Sequence, residues 1–190
     1  RGGSLLLLIV ALAGCGMIPP EPQTETAEAV FTLYSVVFAM GFAVLIRVPP
    51  ALSPVDFGSD MFRYLWDGRV QRLGYNPYAV LPSDPALAST HADDNTRLMV
   101  SRNSRTPYPP AAQIFFRFVV SLHDSSRAMK LALIACDLLT MLVLWRWLLI
   151  TGRSPWLTLA YGWNPLVILE VAHSGHIDAL GALWILTSAF

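Results

Sequence analysis

The 190-residue chain carries 13 Lys and Arg against 13 Asp and Glu, so its formal charge is zero and no basic excess suits it to nucleic acid. Hydrophobic residues make up 54% and charged residues only 14%, with a mean hydropathy of +0.49, which sets the chain apart from soluble domains and points to an integral membrane protein. Its two cysteines, Cys15 and Cys136, both lie in apolar runs and read as small core residues, not as a disulfide or a metal site.

The first apolar run, residues 5–18, is too short to span a hydrocarbon core of about 30 Å, which takes about 20 residues. It reads as a truncated transmembrane helix in a chain that is itself a fragment; Leu12-Ala13-Gly14-Cys15 also fits a lipoprotein processing box. Residues 19–28 form a short acidic linker. Residues 27–48 are long enough to span, and Pro49-Pro50 should stop that helix. A loop over residues 49–127 then holds most of the charge.

Within that loop, residues 59–78 read SDMFRYLWDGRVQRLGYNPY. Ser59 or Asp60 suits a helix cap, and Gly74 followed by Pro77 suits an end. At 3.6 residues per turn, Asp60, Arg63, Asp67 and Gln71 fall on one stripe, with Phe62, Leu65, Trp66, Val70 and Leu73 on the other side. That is a juxtamembrane amphipathic helix suited to the lipid–water interface. Either Asp60 merely caps it and Arg63–Asp67 is an i,i+4 surface pair, or the charged stripe lines a reaction site. Turn-rich stretches follow at 82–85 and 91–95. In Asn103-Ser-Arg105-Thr-Pro-Tyr108-Pro-Pro110 the prolines fix an extended backbone, which either presents Arg105 and Tyr108 rigidly or simply returns the chain to the membrane. Residues 111–122 form a shorter amphipathic or re-entrant piece, since Arg117 argues against a full span.

Residues 129–150 form a transmembrane helix with Lys130 near one end, Asp137 inside and Trp145-Arg146-Trp147 as interface anchors near the other. Asp137 should pair with Lys130, two turns away, or with an arginine of another helix. Residues 156–169 are apolar but interrupted by Gly162-Trp163-Asn164-Pro165, and residues 177–190 begin a further, truncated helix. Between them stand Glu170, His173, His176 and Asp178. These sit at a helix end in water or face a cavity; His173 and His176 could share a face with Glu170, a spacing that a metal would accept. Arg146 and Arg153 on the cytoplasmic side would put the long loop outside, whereas the Lys- and Arg-free linker at 19–28 claims the same side by the same rule. No internal repeat is visible.

The pattern S-D-x-x-R-Y-x-W-D-G-R-V-Q-x-x-G-x-N-P-Y resembles the first outer loop of polyprenyl-phosphate-sugar-dependent glycosyltransferases of the GT-C type, above all bacterial mannosyltransferases, and more loosely glycosylphosphatidylinositol mannosyltransferase I. The tyrosine-proline-proline segment at Tyr108, the asparagine-proline-leucine at Asn164 and the glycine-histidine-x-aspartate at Gly175 resemble further elements of the same enzymes, in the same order. The resemblance implies an all-α, polytopic transmembrane fold, with residues 1–190 an N-terminal part of it and the 49–127 loop on the extracytoplasmic face of a bacterial plasma membrane. It implies transfer of a hexose, mannose above all, from a polyprenyl-phosphate donor to a glycan or lipid-linked acceptor by inverting displacement, with membrane lipid as the surroundings and no nucleic-acid partner. Asp60 matches the catalytic base. Arg63, Asp67, Arg69, Asn76, Tyr78, Arg105, Tyr108, Glu170, His176 and Asp178 are the implied substrate-binding residues. Many relatives carry an acidic pair where this chain reads Asp60-Met61; the single carboxylate weakens the case for a metal, and no cofactor is expected. Two other readings stand beside this one: a lipid-linked sugar transporter or flippase, which should show paired repeats, and a non-catalytic membrane scaffold.

Overall fold

The computed structural model describes residues 22–189, apart from 57–58, 92–95, 97–98 and 100. The truncated helix expected over 5–18, the processing box with Cys15, and the turn at 92–95 lie outside the described residues. Every regular element among the described residues is helical, as expected of an all-α membrane protein. The chain divides into two compact units, one ending at Ala39 and the other beginning at Met40. The boundary falls within α1 (Pro22–Leu52). The site described below belongs wholly to the second unit.

Among the described residues, two helices are long and apolar enough to cross a membrane. One is α1, whose Thr26–Leu52 portion reaches a mean hydropathy of 2.3. The other is Ser126–Ile150, which reaches 2.0. At 1.5 Å per residue, 25 residues extend about 38 Å, enough for the hydrocarbon core. Between them lie α2 (Met61–Arg72), a 3₁₀ turn at Pro85–Thr90 and α3 (Pro110–Leu122), so that Ser126–Ile150 is α4. Beyond α4 the chain runs in short pieces: a 3₁₀ turn at Pro155–Leu157, α5 (Thr158–Gly162), α6 (Pro165–Val167) and a π-helical turn at Ile168–His173. The last of these bends by 119° into α7 (Asp178–Ser188), so Pro165–His173 and α7 make a broken span or a re-entrant loop.

The helix ends follow their sequence signals at α2 but not at α1, which begins at Pro22, inside the stretch expected as an acidic linker, nor over 156–169, which is broken into short pieces. α1 passes Pro49-Pro50 and stops at Leu52. The carbonyls at this end have partners: the Ser53 hydroxyl donates to Pro50 O at 2.6 Å, and Lys130 Nζ donates to Pro50 O at 3.4 Å and Ser53 O at 3.0 Å. α2 ends in a complete Schellman turn. Gly74 takes φ +88°, its N–H bonds Gln71 O at 3.1 Å, and Tyr75 N–H bonds Val70 O at 3.0 Å.

Asp137 pairs with an arginine of another helix. Arg47 Nε meets Asp137 Oδ2 at 2.5 Å, Tyr161 Oη donates to Oδ1 at 2.7 Å, and Arg47 Nη1 donates to Ala43 O and Gly162 O. Both charged side chains are buried, so the network joins α1, α4 and α5 at a depth where an unpaired charge would be costly. Lys130 instead serves the end of α1.

α2 carries both stripes expected of it, yet most of each is buried. Residues 61–68 and Val70 are all buried, Arg63 and Asp67 included. Its Tyr64 and Leu65 side pack in a core with Phe116, Val119 and Val120 of α3 and Met129 and Leu133 of α4. Phe62, Trp66 and Val70 pack with Leu87 and Met99, and Trp66 Nε1 donates to Thr90 Oγ1 at 2.8 Å. α3 keeps an open apolar flank of Ile114, Phe118 and Leu122.

Candidate active site

The site begins at the N-terminus of α2. Asp60 is the cap residue by position, but its side chain makes no capping bond; Ser59 Oγ accepts from Met61 N–H at 3.2 Å instead. The Asp60 carboxylate is therefore exposed and not engaged in capping. It opens on a cavity of about 280 Å³ lined by Ser59, Asp60, Arg63, Ser101, Arg105 and Tyr108, among others. Four of the residues singled out from sequence, drawn from the α2 motif and the proline-rich segment, thus share one wall.

A buried polar network aims Arg63 at this cavity. Arg63 Nε donates to Asp67 Oδ1 at 2.8 Å, and Nη1 donates to Ser104 O at 2.9 Å and Ser101 O at 3.2 Å. Its other terminal nitrogen, Nη2, is buried and has no partner. Asp67 is fully buried and does not line the cavity. Its second oxygen accepts from Gln113 Nε2 at 2.7 Å, and the same nitrogen reaches Thr106 Oγ1 at 2.8 Å. Burial pushes the Asp67 carboxyl above its usual range, against the opposing pull of Arg63, Gln113 and Thr106. Neither Gln113 nor Thr106 stood out in the sequence. A lone glutamine in an apolar helix such as α3 was the available signal, because a buried amide demands partners.

The other expected residues lie around this centre or away from it. Tyr78 Oη donates to Tyr108 O at 2.7 Å, and Asn76 Oδ1 accepts from Tyr78 N–H at 3.0 Å, so these two brace the proline-rich segment. Arg69 is tied by Nε to both carboxylate oxygens of Asp124, at 2.9 and 2.8 Å, and is not part of the cavity wall. Glu170 Oε2 meets His176 Nδ1 at 2.7 Å. His173 meets Ser53 Oγ at 2.7 Å and Asp56 at 3.2 Å. Asp178 stands at an apolar groove of about 320 Å³ with Pro109, Ala112, Ile177, Leu180 and Trp184. Among the described residues, no group of three His, Cys, Asp or Glu side chains is placed to hold a metal ion.

Two tyrosines lie between these parts. Tyr108 stands edge-on to Tyr64 at 5.0 Å, and Tyr64 stacks on Phe116 at 4.6 Å. Burial pushes the Tyr108 hydroxyl well up, followed by the neighbouring Tyr64 and the charge of Asp60. Tyr64 had no distinguishing signal in the sequence beyond its place in the α2 motif. The departure at Met61 has a packing reason: Met61 is fully buried and lies against Gly175. A second carboxylate there would be enclosed in the core.

Together these features define an all-helical membrane protein whose polar segment gathers an exposed carboxylate, in hydrogen-bonding reach of the Tyr108 hydroxyl, and two guanidinium groups around one cavity. The chain belongs to the family described as alpha-(1->6)-mannopyranosyltransferase, N-terminal domain, which it matches over residues 5–188. It is thus a glycosyltransferase chain of the mannosyl-transferring kind rather than a transporter or a scaffold. Neither the curated proteins nor the solved structures contain a match to it.

Proposed function

We propose that this chain carries the catalytic loop of a GT-C-type mannosyltransferase that uses a polyprenyl-phosphate-mannose donor. Mannose passes to a glycan or lipid-linked acceptor outside the cytoplasm of a bacterial cell, at the plasma membrane. The observation that carries this reading is the cavity that brings Asp60 together with Arg63 and Arg105. Direct displacement at the anomeric carbon needs a base for the acceptor hydroxyl and donors for the departing phosphate. Asp60 is exposed and not used as a cap, as a base must be. Arg63 is held at the cavity wall by Asp67 and the Ser101 and Ser104 carbonyls, where a guanidinium suits phosphate. Arg105 supplies a second, exposed guanidinium at the rim. Asp67 serves by orienting Arg63, and Tyr78 by holding the backbone of Tyr108. The base removes the hydroxyl proton as the acceptor oxygen bonds to carbon and the phosphate leaves with the electron pair, inverting the centre.

The test is sugar transfer in membranes holding the full-length protein, with labelled polyprenyl-phosphate-mannose and wild type beside Asp60→Asn at equal expression. Loss of a base should lower the rate by about 10²–10⁴-fold. Transfer that survives in Asp60→Asn would move the base elsewhere, with exposed Asp56 the next candidate. No transfer by wild type from this donor, but transfer from another polyprenyl-phosphate sugar, would reassign the donor.

A further inference from the structure

The helix that begins at Asp60 also grips the turn leading into α7. Gly175 is buried with φ +71°, and a Cβ added there would run into the terminal methyl of Met61. Tyr64, one turn beyond Met61 on the same face of α2, accepts a hydrogen bond from Ile177 N–H through its hydroxyl, at 3.4 Å. Both side chains are buried, and the Tyr64 ring is fixed between Phe116 and Tyr108. A phenylalanine would fill this core equally well. A buried hydroxyl is costly unless it is bonded, and this one has two partners, the Ile177 N–H and the Tyr108 hydroxyl. Burial, then the charge of Asp60 and more weakly that of Asp178, lift this hydroxyl to about 12. The turn itself joins two helices bent by 119°, with a left-handed glycine in its course.

We propose that Met61 and Tyr64 form a two-point clamp on residues 175–178, and that Tyr64 is a positioning residue whose hydroxyl, by holding the Ile177 N–H, sets the place of the adjacent Asp178 relative to Asp60. This rests on the reading of the Asp60 cavity as the transfer site.

The experiment measures kcat and KM for transfer by the full-length protein in membranes, for Tyr64→Phe, Asp178→Asn and the double variant, with Asp60→Asn alongside. Tyr64→Phe keeps the ring and its packing. It should lower kcat about tenfold and leave the donor KM within about twofold, as a misplaced group does. The double variant should be no slower than Asp178→Asn alone, because the hydroxyl acts through that residue. A merely structural hydroxyl would change the amount of folded enzyme, and its loss would multiply with that of Asp178. Wild-type kcat in Tyr64→Phe, or multiplying losses, overturns the clamp. In a second arm, Met61→Ala should also lower kcat per folded enzyme and leave the donor KM within about twofold. Wild-type kcat in Met61→Ala counts against the Met61 half. Should Asp60→Asn stay active while Tyr64→Phe is slow, the base assignment fails and the clamp stands.

Discussion

Arg63 and Asp67 are four residues apart, the spacing of an ordinary surface pair, yet burial changes what they do. Two buried charges attract strongly but lose their hydration, and the raised Asp67 carboxyl says that desolvation is the larger effect there. The sign of the pH dependence follows. A carboxyl whose folded value lies above its ordinary 3.8 contributes stability that is fully present below 3.8 and is lost as pH rises through the folded value. Asp67→Asn, which cannot titrate, should flatten the melting temperature across that acidic window, measured in detergent. Asp67→Ala is harsher: it strands the buried Arg63 charge and should cost about 3–5 kcal/mol. Arg63→Lys keeps the charge but loses the planar fork and the bond to Asp67. If Arg63 holds phosphate, the donor KM should rise about tenfold or more while the fold survives.

Between elements, α2 and α3 approach closely at Gly68. A Cβ on Gly68 would meet Val120 Cγ2 at 2.7 Å and Phe116 O at 2.8 Å. Alanine is the better helix former by about 1 kcal/mol, but one of the obstacles is backbone and cannot rotate away. Gly68→Ala should therefore destabilise by about 1–3 kcal/mol through forced separation of the helices, and lower the melting temperature. The Arg47–Asp137 pair joins α1 to α4 by a different principle. Asp137→Leu alone leaves a buried guanidinium without its ion, and should sharply lower recovery of folded protein. Arg47→Met added to it should restore much of that recovery, because two apolar side chains replace two desolvated charges.

At the scale of the whole molecule, the polar segment between the two long apolar helices is itself folded. α2 and α3 do not trail as a loop; they pack as a core with α4. This gives the candidate site a rigid floor, which near-attack geometry requires. The face it looks toward is open to direct test. Ser83 is exposed in the polar segment, and Cys136 is buried. Ser83→Cys should react with a membrane-impermeant thiol reagent added to intact cells. Labelling only after the cells are opened would put the segment inside and remove the extracytoplasmic reading.

The sequence by itself determined the class of molecule, because a membrane selects on length and apolarity, and both are local properties of a run of residues. It also carried the start and end of α2, since Ser59, Gly74 and the bonds they make are near neighbours in the chain. It pointed to Asp60, Arg63, Arg105 and Tyr108, which turn out to share a cavity. The tertiary structure alone decided which charges face that cavity. Periodicity puts Asp60 and Asp67 on one stripe, but α3 covers Asp67 and leaves Asp60 open, and nothing in a helical repeat says where a second helix will lie. It likewise decided that Asp137 meets Arg47 rather than Lys130, and that Met61 fills the space beside Gly175. Each of these is a contact between distant parts of the chain, set by the shapes of the surfaces that meet.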